Sequence, residues 1–233
     1  MNWLARSRPS GTATAAAPTK PNSAVSSDAS SAKSRTSNGL KEFLWLTTEE
    51  SKQGRILDLG AVFQSTVMFF VERGFRLSTE DMMRSWKEFL LAEEEGLRKM
   101  KVGDGGARVS QGMLAGKFLE SNLQYPEDNF NGVLAWDLFD YLDAELLPRV
   151  MDRLYTILRP GGAVLASFHS KTPERFNRYK VVDGQNVELI PSPTLAVHGR
   201  IFQNREILDI FGKFRSSKTF VGRDQVREAI FLK

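Results

Sequence analysis

Asp81 stands 21 residues after Gly60, and Gly60 closes the short apolar run RILDLG, Arg55 to Gly60. An acid about twenty residues beyond a strand-closing glycine lies where a carboxylate meets a ribose, whose paired hydroxyls both donate to it. The turn that follows, Gly60-Ala61-Val62-Phe63-Gln64, holds one glycine. A turn that cradles a pyrophosphate wants two or three, for close backbone approach and for left-handed φ. β-Branched Val62 resists that φ at a cost of about 1–3 kcal/mol. This argues against a nicotinamide dinucleotide and its oxidoreductase chemistry.

These residues need elements to hold them. RILDLG reads as a buried strand. Phe63, Val67, Phe70, Val71 and Gly74 then recur at helical spacing, and FRLSTED reads as a second strand that delivers Glu80 and Asp81 to its end. Residues 82–100 predict an amphipathic helix with Met83, Trp86, Phe89, Leu90 and Leu97 inward and Glu93, Glu94 and Glu95 in water. A glycine-rich loop, KVGDGGARVS, precedes another helix over Val109–Leu119. NGVLAWDLF predicts a buried strand. Asp143 caps a helix striped by Leu146, Leu147, Val150, Leu154, Ile157 and Leu158, which ends at RPGG, and AVLASFH follows as the next strand. RYKVVDGQNVELI predicts a hairpin turning at Asp183-Gly184, Asn204 caps a short helix, and SKTFVGRDQVREAIFLK predicts two antiparallel strands around Gly222–Gln225. Strands alternating with helices imply a parallel sheet with right-handed crossovers.

Composition narrows the function. The 233 residues are 41% apolar, with no uncharged apolar run long enough to span a membrane. The absence of cysteine excludes disulfides, thiolate zinc sites and Cys nucleophiles, and fits a reducing, cytoplasmic setting. Two histidines, His169 and His198, are too few for a His-rich metal centre. No metal site is assigned, although Asp/Glu ligation of magnesium stays open. Of 32 basic and 28 acidic groups, residues 1–40 hold five and one, leaving 27 of each in the remainder. That neutral remainder lacks the basic footprint of a nucleic-acid binder. Residues 1–38, rich in Ser, Ala and Pro, read as a disordered basic tail, with organellar import as a second use for it.

With these pieces in frame, the chain over 41–233 resembles the class I S-adenosylmethionine-dependent methyltransferases. ILDLG matches the first half of that family's acid-x-Gly-x-Gly-x-Gly motif, Asp81 falls on its ribose-binding acid, and YPEDNFNGVLAWDLFDYL resembles its approach to the fourth strand. LYTILRPGGAVLAS resembles the helix, Pro-Gly-Gly turn and fifth strand. The resemblance implies an α/β fold: a Rossmann-like, seven-stranded, mostly parallel sheet of order 3-2-1-4-5-7-6, helices on both faces, and a reversed C-terminal strand. It implies S-adenosyl-L-methionine as cofactor. Gly60 and Ala61 would lie against its methionine, Asp58 would orient its amino group, and Asp81 would hold its ribose. Met82 would cover the adenine, and Glu120 or Ser121, ending the third strand, would meet the adenine amino group. Trp136 and Asp137 would border the sulfonium.

Val62 and Gln64 stand where the family has its second and third glycines, Asn131 where it often has an acid, and 82–119 exceeds its second crossover. A cofactor without pyrophosphate tolerates such a turn, since helix N-terminal amides can meet its carboxylate. Methyl transfer needs orientation first, with a base for some acceptors. Asp137, His169 and Tyr141 are the candidates, with Asp140 and Tyr141 expected toward the helix cap or solvent. Residues 170–202 form the variable segment expected to choose a small-molecule acceptor. Two functions stay open: methyl transfer to such an acceptor, or a non-catalytic interaction domain whose pocket is filled by Val62, Phe63 and Gln64. Neither a membrane nor a nucleic acid is expected as partner, and the oligomeric state is undetermined.

Overall fold

Neighbouring residues of the central strands point to opposite faces, and each face has its own core. Ile56, Leu134, Leu165 and Ile230 join one buried cluster, while Leu57, Val133, Val164, Ala166 and Phe231 join the other. Strands apolar on both sides belong in the middle of a sheet covered twice. The computed structural model of the protein describes residues 32–50, 54–100, 110–192 and 199–233.

The central sheet has six strands: β2 (Arg55–Asp58), β3 (Arg76–Thr79), β4 (Phe130–Trp136), β5 (Leu158–His169), β8 (Arg215–Val221) and β9 (Val226–Leu232), in the order β3-β2-β4-β5-β9-β8. Pairing is parallel from β3 to β5; β9 runs antiparallel to both β5 and β8. The helices α3 (Met82–Met100), α4 (Gln111–Leu119), α5 (Leu146–Ile157) and α6 (Asn204–Ile210) carry residues of the Leu57 cluster. On the other face lie α1 (Asn38–Glu50), α2 (Gln64–Val71) and a second sheet, formed by β1 (Lys33–Thr36), β6 (Asn177–Val181) and β7 (Asn186–Pro191) in the order β1-β7-β6. No described helix is long and apolar enough to cross a membrane.

Three expectations are corrected. The sheet has six strands rather than seven, because among the described residues nothing pairs beyond β3; the expected outermost strand is replaced by α3 and α4. Ser110 accepts the Met113 N–H (3.3 Å) and starts α4, which runs to Leu119, so Glu120 and Ser121 sit in the turn after a helix and are exposed. The span read as tail contains β1, which pairs with β7 from Lys33↔Leu189 to Thr36↔Asn186, while residues 1–31, the glycine-rich 101–109 and His198 lie outside the described residues. Smaller boundaries hold or shift by one. Asp143 Oδ1 accepts the Glu145 and Leu146 N–H groups at the head of α5, but Asn204 is the first residue of α6 rather than its cap.

α1 packs where the sheet offers no side chain. A Cβ on Gly132 of β4 would fall on the Phe43 ring, 2.8 Å from Cε2, and 2.9 Å from Thr47 Cγ2. Gly132→Ala is therefore expected to destabilise by about 1–3 kcal/mol through overpacking. Urea unfolding checks it; a wild-type midpoint would mean α1 shifts freely.

Candidate functional site

The chain passes from β2 out to β3 and returns to β4 on the other side of β2. That reversal opens a crevice at the carboxyl ends of β2 and β4, the ordinary ligand place of such sheets. Asp58 ends β2, is buried, and accepts through Oδ1 from Gly60 N–H (2.9 Å) and Trp136 Nε1–H (2.8 Å). Its Oδ2 is buried without a partner among the described residues. Burial pushes the Asp58 pKa up to about 6; the two hydrogen bonds pull against that, and the Asp81 charge adds to it.

Trp136 ends β4 at φ 51°, a left-handed conformation that a bulky residue holds only when its surroundings enforce it. Two contacts do so: the indole N–H bond to Asp58, and a near-parallel stack on Tyr179 of β6 (centroids 5.0 Å, 9°). The ring covers Gly60, whose missing Cβ would stand 3.0 Å from Trp136 Cδ1 and Nε1. Gly60 thus allows a close approach, and Trp136 is what approaches.

Asp81 follows β3 and caps α3 by accepting Arg84 N–H (3.2 Å). The same Oδ1 receives Arg178 Nη1 of β6 at 2.5 Å, with both side chains largely out of water. Met82 is fully buried in the core, so it covers no open adenine place; its neighbour Met83 lines the crevice. Ala61 lines it too, whereas Val62 is 61% exposed and fills nothing. With Gly60, Trp136, Asp137, Phe176, Arg178 and Tyr179 in place, the crevice retains about 20 Å³, on the order of one water.

Beside it lies a cluster of titrating groups from the ends of β4 and β5. His169 Nδ1 is 2.9 Å from Asp140 Oδ2, which also accepts His169 N–H (2.8 Å); His169 Nε2 is 3.7 Å from Asp137 Oδ2. Asp140 is 2% exposed, against the expectation that it faces solvent, because the 3-10 turn Leu138–Tyr141 after β4 folds it under β5. Tyr141 is likewise buried, its hydroxyl without a partner among the described residues. Burial raises Asp137 to about 7, with the nearby His169 charge opposing. Burial alone would lower His169, but the Asp140 bond and the Asp137 charge outweigh it and hold it above its usual value. Asp140 is raised by burial despite its His169 bonds.

The strand ends therefore bring together Asp58, Gly60, Asp81, Trp136, Asp137 and His169, and exclude Glu120, Ser121 and Met82. Sequence reasoning missed Arg178, and placed Tyr179 in the variable 170–202 segment without its stack on Trp136. The signal was there, in alternating RYKV on a hairpin strand, but its docking place was not.

No family model and no curated protein matches the chain. It is similar to solved structures of S-adenosylmethionine-dependent methyltransferases. One is the 1,6-didemethyltoxoflavin-N1-methyltransferase of Burkholderia thailandensis, with 1,6-didemethyltoxoflavin and S-adenosylhomocysteine bound (13% identity, 84% of this chain and 78% of that one, TM-score 0.45). Another is a methyltransferase of Methanosarcina mazei (12%, 78% and 93%, TM-score 0.45). A third is a TehB-like methyltransferase of Corynebacterium glutamicum (12%, 84% and 87%, TM-score 0.42).

Proposed function

We propose that the chain is an S-adenosylmethionine-dependent methyltransferase acting on a small-molecule acceptor. The observation that carries this reading is the juxtaposition of Asp58, Gly60 and Asp81 at the carboxyl ends of adjacent parallel strands. The donor set fits the cofactor: Asp81 suits a ribose hydroxyl pair, and the orphaned Asp58 Oδ2 suits an ammonium reached directly or through water. The volume in this conformation does not fit it, since about 20 Å³ cannot hold an adenosyl group. Binding therefore requires the β6 side of the crevice to move. His169, oriented through Nδ1 by Asp140, is the proton acceptor assigned to the acceptor side, with Asp137 beside its Nε2.

The closed crevice also bears on the interaction-domain alternative. The filling side chains are Trp136 at the end of β4 and Arg178 and Tyr179 of the β6–β7 hairpin, not Val62, Phe63 and Gln64 of the turn. Calorimetric titration with S-adenosylhomocysteine tests the proposal: binding is expected, and adding Asp81→Ala to an Arg178→Met protein, in which no guanidinium competes for that carboxylate, should weaken it by about tenfold or more, as for loss of a charged hydrogen-bond acceptor. No heat at millimolar ligand would remove the cofactor reading and leave the fold as a scaffold.

A further inference from the structure

We propose that the β6–β7 hairpin is a self-inhibitory strap whose strand β6 occupies the cofactor place, with Arg178 as the latch on Asp81. This rests on the cofactor place assigned above. Three ties run from β6, and each lands on a different part of that place. Arg178 takes the carboxylate that a ribose would need (2.5 Å). Tyr179 stacks on Trp136 and keeps the indole over Gly60, where the methionine would lie. Val181 N–H donates to Thr66 Oγ1 in the first turn of α2 (3.0 Å), over the helix end that would meet the cofactor's carboxylate.

The second sheet shows which side is able to lift. β6 is an edge strand, and its far edge is bound to none of the sheet's other strands. β7 lies in the middle, and β1, on the opposite edge, is fixed to the main body through Arg35, which pairs with Glu228 of β9 (3.0 Å). The hairpin is thus hinged along β1 and β7; along β6 it is held shut by one ion pair, one ring stack and one side-chain hydrogen bond, together with the burial of Tyr179 and Val181 in the core beneath the sheet. A guanidinium–carboxylate pair largely shielded from water is the strongest of the three. Cofactor and Arg178 compete for the same oxygens, so the apparent affinity for cofactor falls by the fraction of molecules that are open.

The test uses the full chain with Arg178→Met, which keeps an unbranched side chain of similar length and removes the guanidinium, and with Asp81→Asn as an independent break of the same pair. Amide hydrogen exchange by two-dimensional NMR, without ligand, reads the strap directly. Val181 N–H is expected to exchange about tenfold faster in both variants, while β7 amides bonded to β1 and the central sheet keep their rates. Titration of Arg178→Met with S-adenosylhomocysteine should give a dissociation constant roughly tenfold lower than wild type. Unchanged Val181 exchange, or faster exchange spread equally over β7 and the central sheet, overturns the strap. So does an Arg178→Met protein that binds the ligand no tighter than wild type. If Val181 exchange quickens locally but no protein binds at millimolar ligand, the latch stands and the methyltransferase reading falls instead.

Discussion

Arg35→Ala is expected to lower the free energy of unfolding by about 3–5 kcal/mol, the cost of breaking a buried ion pair by deleting one member. Arg35 rises from β1 with 6% of its side chain exposed, and its Nη2 lies 3.0 Å from Glu228 Oε1, itself 5% exposed. Nε is 3.1 Å from Asp224 Oδ2, but Asp224 is a quarter exposed and water can replace that partner. Glu228 has no such relief. Its Oε2 accepts Gly39 N–H at the start of α1 (2.8 Å), and without Arg35 that single amide would face a buried carboxylate. One pair therefore joins β1, α1 and β9, and loosening it should loosen the second sheet as well. Urea unfolding measures the effect as a lower midpoint at constant slope. The double change Arg35→Met/Glu228→Gln should recover much of the loss, because it removes the stranded charge. A single-variant loss below about 1 kcal/mol would mean that water reaches Glu228 and the pair behaves as a surface one.

Arg35 also marks where sequence reading stops. Elements with their own apolar period were legible: β2, β4, α3 and α5 stand where Leu57, Val133, Trp86 and Leu154 place them, and the β8–β9 pair follows from its turn. The strand β1, KSRT, has no apolar residue; it is a strand only because β7 offers a ladder and Glu228 a counterion. Such dependence on partners distant in sequence leaves no local trace. The missing outer strand is the reverse case: the resemblance required a strand ending at Glu120 or Ser121, where the residues themselves predict a helix over Val109–Leu119, and Met113, Leu114, Ala115 and Phe118 form that helix. At the site, Asp58, Gly60 and Asp81 were legible because their spacing is set by one βαβ unit. Arg178, Tyr179 and the burial of Asp140 were not, because each depends on how a hairpin or a 3-10 turn folds back over the strand ends.

Raising the pH from 5 to 8 is expected to destabilise the protein by about 4 kcal/mol, the reverse of what acid-labile carboxylate pairs produce. Asp58 ionises near 6 in the folded chain and Asp137 near 7, both because burial penalises the anion, against 3.8 for an ordinary Asp. Between the unfolded and folded values the native state keeps a proton that the unfolded chain has released, so stability falls as pH rises, at about 1.4 kcal/mol per pH unit for each group in its window. That window closes near 6 for Asp58 and near 7 for Asp137. His169 acts in the same direction. Its folded value lies above 6.5 through Asp140 and Asp137, so its contribution is complete below 6.5 and lost as pH passes its folded value. Asp183 and Glu206 are lowered by hydrogen bonds to exposed carboxylates, and their windows lie below pH 5. Urea midpoints at pH 5, 6, 7 and 8 measure the slope. Asp137→Asn should flatten it between 5 and 7, and Asp58→Asn only between 5 and 6, because the amide carries no charge for burial to oppose. A midpoint that stays level or climbs from pH 5 to 8 would show that water or a counterion reaches these carboxylates. An ammonium-bearing ligand held at Asp58 Oδ2 would draw that pKa down. Saturation with S-adenosylhomocysteine should then remove the share of the slope between 5 and 6 and leave that of Asp137, so the titration that reports stability also reports which carboxylate the ligand meets.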